Sequence, residues 1–177
     1  MLTLNRNDSA LLLIDFQARL MPAIEEGAAA VANARRLLTA ATMFAVPVLI
    51  TEENAAGLGA TVPELTAERA PIFHKMSFDA CRMPGFAAAL PHRQALVVAG
   101  CETHVCVMQT VLGLIEAGRR VHLVRDAVGS RRAESKETAI RRMERYGAEI
   151  VTTEMVVFEW LENAEDPRFR DALRLIR

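Results

Sequence analysis

The stretch Ala95–Gly118, "ALVVAGCETHVCVMQTVLGLIEAG", decides the fold. It opens on an apolar run, reaches Gly100, crowds Cys101, Glu102, Thr103 and His104 together, then continues with apolar positions at helical spacing. A buried strand followed at once by a helix is half of a βαβ crossover. The other half comes next. Gly118 stops the helix and "RRVHLVRD" reads as the following strand. The same unit then repeats, with "ESKETAIRRMERYG" as helix, Gly147 as its stop and "AEIVTT" as strand.

Towards the N-terminus the alternation persists. "SALLLIDF" is a continuous apolar run ending in an acid, and reads as a buried strand. "GAAAVANARRLLTAATMFAVP" places Val31, Ala34, Leu37, Leu38, Ala41 and Phe44 at helical spacing. Pro47 cannot continue that helix, so "VPVLIT" is the second strand, and "APIFHK" is a weaker third. "EENAAGLGATVPEL" reads as a long loop closing in a short helix, and "SFDACRMPGFAAALPHRQ" as a loop with another. Two further helices, "TEMVVFEWLEN" and "DPRFRDALRLIR", end the chain, the second with Asp166 and Pro167 as cap and first-turn pair. Strands alternating with helices predict a parallel sheet covered on both faces. The expectation is a three-layer, doubly wound, Rossmann-like α/β fold, with residues 1–177 as a single domain.

Composition narrows the function. The formal charge is −1 and no run of Lys and Arg exceeds two residues, so neither nucleic acid nor an anionic membrane surface is expected as a partner. "MLTLNRNDS" lacks the pattern of a signal peptide, and no apolar run approaches the ~18 residues of a membrane span. Three cysteines do not suit a disulfide framework, and the expected location is the reducing cytoplasm.

In an open parallel sheet, ligands bind beyond the carboxyl ends of the strands. The residues expected there are Asp15, then Thr51, Glu52 and Glu53, then Lys75, then Glu102, Thr103 and Cys106, and finally Asp126. Each alone has a plainer reading. An Asp after a strand is often a helix cap, a lone Lys is usually solvated, and a free Cys is more often core than catalyst. Together they form an acid, a base and a thiol from separate strands, which is what activation of a sulfur nucleophile requires. Cys106 falls in the first turn of a helix starting near Thr103, where the helix dipole and a nearby Lys75 ammonium favour thiolate. Asp15 is placed to take the thiol proton. Unpaired N–H groups in the turn "GCETHVC" suit an oxyanion. Cys101, at the strand end, is expected to pack, with redox pairing to Cys106 as a lesser alternative, and Cys81 has no assigned role.

"LLLIDFQ", "FHKMSFDA" and "VVAGCETHVCV" together resemble the isochorismatase-like cysteine hydrolases, a family that includes nicotinamidases and N-carbamoylsarcosine amidases. The resemblance covers nearly the whole chain. "TEENAAGLGATVPEL" and "GCETHVCVMQT" look like the small isochorismatase-domain hydrolase subgroup. It implies a six-stranded parallel sheet and a catalytic triad of Asp15, Lys75 and Cys106. It also implies a non-proline cis peptide at Cys101–Glu102, with the Glu102 and Cys106 N–H groups as oxyanion hole, and a homo-oligomer, dimer or larger. Nicotinamidases hold a metal with an Asp and two His after the second strand. "TEENAAGLG" contains no His, and His74, His92, His104 and His122 lack metal-ligand spacing, so no metal and no cofactor are expected.

The resulting reading is a metal-free cysteine hydrolase, cleaving a small amide or related C–N bond through a thioester. Gln17, Phe78 and the Glu102 side chain are expected at the pocket wall, with Glu102 either recognising a donor on the substrate or bracing its loop. The rival readings are a binding or assembly module that keeps the fold without turnover, and a redox-responsive protein. A dinucleotide-binding domain is disfavoured, since no Gly-rich phosphate loop follows "LLLID".

Overall fold

The computed structural model describes residues 2–66 and 70–177. In chain order it contains β1 (Ser9–Ile14), α1 (Gly27–Met43), β2 (Val48–Glu53), α2 (Ala55–Leu58), β3 (Ile72–Lys75), α3 (Phe86–Ala89) and β4 (Ala95–Cys101). A π-helical turn, Thr103–Val107, leads into α4 (Met108–Glu116), followed by β5 (Arg120–Gly129), α5 (Ala133–Arg145), β6 (Glu149–Val151), α6 (Thr153–Leu161) and α7 (Phe169–Ile176). The six strands form one sheet in the order β3-β2-β1-β4-β5-β6. Every pairing is parallel. The chain reverses direction across the sheet between β1 and β4, and a crevice opens at such a switch point. The doubly wound fold expected from the alternation is the fold observed.

Residue alternation divides the core in two. On one face Leu11, Leu13, Val97, Ala99 and Cys101 pack with Ala34 and Leu37 of α1, Val156 and Trp160 of α6 and Ala172 of α7. On the other, Leu12, Ile14, Leu96 and Val98 pack with Phe86 of α3, Val111 and Leu114 of α4, and Ile140 and Met143 of α5. Strands covered on both sides have no solvent face, which is why they read as unbroken apolar runs. Gly118 and Gly147, just past α4 and α5, both take positive φ, as the repeated unit requires.

Three expectations are corrected. The helix expected from Thr103 begins as a π turn, because the Val105 and Val107 N–H groups both return to the Glu102 carbonyl, at 3.1 and 3.2 Å. β5 does not stop at Asp126 but runs to Gly129 across a register shift against β4. Asp126 therefore lies off the functional edge, and its Oδ1 accepts from Thr153 N–H and Oγ1, both at 2.9 Å, at the start of α6. Lastly, α7 starts at Phe169 rather than at Asp166–Pro167, because the Asp166 carboxylate is taken up by Arg168.

Gly100 is paired in register with Ile14, where β4 lies beside β1. A Cβ there would lie 2.5 Å from the Ile14 carbonyl oxygen and 2.7 Å from Ile14 Cβ, with Val107 at 3.0 Å. Two of these obstacles belong to a buried strand and cannot swing away. Gly100→Ala is expected to cost about 1–3 kcal/mol, the range for forcing extra volume into a packed site. A fall in the urea midpoint at unchanged slope checks it, and a wild-type midpoint would show that β1 and β4 can separate at no cost.

Candidate active site

Asp15 follows Leu13 and Ile14, and simple alternation would send it to the α1 face of the sheet. Its backbone is left-handed instead, with φ of 52°. Asp tolerates this conformation better than most residues. The carboxylate is thereby turned to the neighbouring strands, where Oδ1 accepts from Thr51 Oγ1 at 2.7 Å and Oδ2 from Lys75 Nζ at 2.6 Å. The Asp15 N–H donates to the Thr51 carbonyl at 3.1 Å, so main chain and side chain are fastened to the same residue. Lys75 arrives at the end of β3, paired in register with Glu53 of β2. Its ammonium also donates to the Ser77 carbonyl at 3.2 Å. Both side chains of this ion pair are wholly buried.

Cys106 is supplied by the π turn after β4 and is 6% exposed. The Asp15 carboxylate lies close enough to interact electrostatically with its thiol. Burial, and then the Asp15 carboxylate, push its thiol well above the ordinary range, with the Lys75 ammonium opposing. Both act against the helix start and the cation from which a thiolate was expected. The site sets a thiol beside a buried carboxylate, with the Lys75 ammonium close to both.

The Cys101–Glu102 peptide is cis, at the position the resemblance implied. Cys101 itself faces the α1 side of the sheet, fully buried, and burial pushes its thiol up to about 12. Cys106 belongs to the opposite face. Cys81, half-buried, donates to the Thr110 carbonyl and is likewise raised to about 12, by burial and by Asp79. All three cysteines are free.

The expected pocket residues divide. Gln17 is buried and both ends of its amide are occupied: Nε2 donates to the Gly59 carbonyl at 2.6 Å, and Oε1 accepts from the Glu53 N–H at 2.9 Å. It is a strap between β2 and the following loop rather than a free wall group. Glu102 is also committed, its Oε1 accepting from Arg131 N at 3.1 Å and Nε at 3.0 Å. This contact is the one a loop brace makes. Phe78 is 49% exposed, three residues beyond Lys75.

Two residues noted at the strand ends but given no role turn out to face this site. Thr51 orients Asp15, and Glu53 lies close enough to Lys75, Asp15 and Cys106 to interact electrostatically with each. The period of two in "LITEE" carries that signal, since Leu49 faces the Cys106 side of the sheet and positions 51 and 53 must follow it. Glu52 points the other way, accepting from Thr61 N and Oγ1 at 2.7 and 2.8 Å. Among the described residues, no group of three His, Cys, Asp or Glu is arranged to hold a metal ion.

A buried acid–ammonium pair thus lies near a thiol at the carboxyl edge of a doubly wound sheet, in a hydrolase-like α/β fold. Residues 9–155 match the isochorismatase domain, and the chain belongs to that family. It is 35% identical over 175 residues to isochorismatase domain-containing protein 2 of Xenopus laevis, covering 98% of this chain and 85% of that one. The structure of a MAR1 ribonuclease from Caenorhabditis elegans superposes with a TM-score of 0.93 at 36% identity, over 98% of this chain and 92% of that one. The YcaC gene product of Escherichia coli, an octameric hydrolase of unknown specificity, gives 0.92 at 30% identity, over 99% and 90%. No helix among the described residues is long and apolar enough to cross a membrane.

Proposed function

We propose that this protein is a metal-free cysteine hydrolase acting on a small amide or related carbonyl–nitrogen bond, with Asp15, Lys75 and Cys106 as its triad. The observation that carries the reading is the buried Asp15–Lys75 pair, at 2.6 Å, set within electrostatic reach of the Cys106 thiol. On attack, the thiol proton passes to Asp15 as Sγ bonds the carbonyl carbon. The oxygen of the tetrahedral intermediate is received by the N–H groups of Glu102 and Cys106. Asp15 returns the proton to the departing amine as the C–N bond breaks, leaving a thioester. Water then adds to it, giving a proton to Asp15. Collapse releases the acid and Sγ recovers its proton. Lys75 stays charged throughout and holds Asp15 in line.

We read residues 1–177 as one catalytic domain that assembles into a homo-oligomer, supported by the octameric relative. A reducing cytoplasm suits chemistry that depends on a free thiol. The redox rival has little support, since Cys101 and Cys106 face opposite sides of the sheet. Nucleic-acid cleavage, suggested by the name of the C. elegans relative, would bring phosphates to a site whose cation is already bound to Asp15 and whose edge carries Glu53. That arrangement repels a phosphodiester.

The test is acyl-enzyme trapping. A panel of small amides and activated esters, quenched in acid and read by peptide-resolved mass spectrometry, is expected to acylate Cys106 alone among the three cysteines. Turnover of an amide with no acyl group ever found on Cys106 would overturn the thioester route.

A further inference from the structure

β2 ends in two adjacent acids with opposite fates. Glu52 is fully used, its Oε1 by Thr61 and its Oε2 by His74 Nδ1 at 3.4 Å. Glu53 is held just as firmly, but only by its main chain. Its N–H is fixed by the Gln17 amide at 2.9 Å, its residue pairs in register with Lys75, and the next N–H, of Asn54, donates to the Lys75 carbonyl at 2.9 Å. Among the described residues, its carboxylate has no hydrogen-bond or salt-bridge partner.

Every other charged side chain around the thiol is committed: Asp15 with Lys75, and Glu102 with Arg131. Among the described residues, Glu53 is thus the acid of this group whose carboxylate has no partner, partly exposed, on the face that carries Cys106. Partial burial raises its carboxyl group, with the Lys75 ammonium opposing the rise. Held in place from behind and unpaired in front, it has the form of a recognition group.

We propose that Glu53 sets the substrate preference of this site: its carboxylate accepts from N–H donors on the amine portion of the substrate, so that amides carrying a further amino or cationic group are selected over anionic ones. The assignment rests on Cys106 being the reacting nucleophile. It moves the donor-recognising role considered for Glu102, which is bound to Arg131, to the acid two strands away.

The test uses two thiol reagents of similar size and opposite charge, aminoethyl and sulfonatoethyl methanethiosulfonate, on wild type and Glu53→Gln. Rates at Cys106 and Cys81 are followed separately by mass spectrometry, and each cation-to-anion ratio is divided by that of free cysteine. The ratio at Cys106 is expected to fall about tenfold in Glu53→Gln, the effect of one unit charge acting through a half-solvated medium, while that at Cys81 stays unchanged. A merely structural role for Glu53 would alter both reagents alike and leave the ratio where it was. An unchanged ratio with Cys106 reactive in both proteins overturns the assignment of Glu53 and spares the nucleophile. If neither reagent modifies Cys106 in either protein, the nucleophile is lost and the assignment falls with it.

Discussion

Cys106→Ala is expected to lower turnover by at least ~10⁴-fold while leaving the fold in place, as loss of the nucleophile does in enzymes whose catalytic groups act as a unit. The substitution removes one sulfur from a residue that is 6% exposed, so the stability change should stay within about 1 kcal/mol. Circular dichroism and the urea midpoint check that half, and steady-state turnover of whichever amide acylates the wild type checks the other. Cys81→Ala, a thiol of similar setting bonded to the Thr110 carbonyl, is the control and should turn over normally. Cys106→Ser separates the role of sulfur from that of shape. A hydroxyl fits the space but is far harder to deprotonate, and Asp15 would have to do so unaided. Turnover by Cys106→Ala within tenfold of wild type would show that the reaction does not run through this thiol.

Lys75→Met should be the most destabilising single change in the site. Met approximates the length and apolar stem of Lys, so the main loss is the cation. The Asp15 carboxylate, wholly buried, would keep only the Thr51 hydroxyl. Stranding one member of a buried pair typically costs about 3–5 kcal/mol, a large share of the ~5–15 kcal/mol that holds a domain together. The companion variant Asp15→Asn/Lys75→Met discharges both ends, keeps a residue that tolerates the left-handed backbone, and retains an oxygen for Thr51. Most of the lost stability should return in the double variant, and none of the activity. That divergence separates the two roles of the pair. If Lys75→Met alone unfolds at the wild-type midpoint, the buried charge is not costly, and the account of why Lys75 sits there is mistaken.

Much of this was legible in the sequence because doubly wound sheets write themselves plainly. "ALVVAG" and "LLLI" are unbroken apolar runs because both faces of those strands are covered, and Gly118 and Gly147 mark where helices must stop. Asp15, Lys75 and Cys106 could be brought together on one edge by the topology alone. What remained hidden depends on where side chains point. Nothing in "TEENAAG" says that Glu52 would be consumed by Thr61 and His74 while Glu53 stayed open, apart from a period of two continued two residues past the expected strand end. The balance of influences on the Cys106 thiol was hidden for a related reason. Sequence placed it near a cation and a helix start, but the burial and nearby carboxylate that outweigh them are properties of the packed molecule. The reach of β5 beyond Asp126 depended on a register shift with β4, which no single strand announces.

The left-handed backbone at Asp15 has a consequence for how this protein tolerates change. The direction of the Asp15 carboxylate depends on the main chain between Ile14 and Phe16, both inaccessible to solvent. A slip of a few tenths of an ångström in the packing of those two apolar neighbours swings the carboxylate as a lever swings from its pivot. Drift in residues that never meet substrate should therefore register first as a weakened catalyst, in a protein that still melts like its parent.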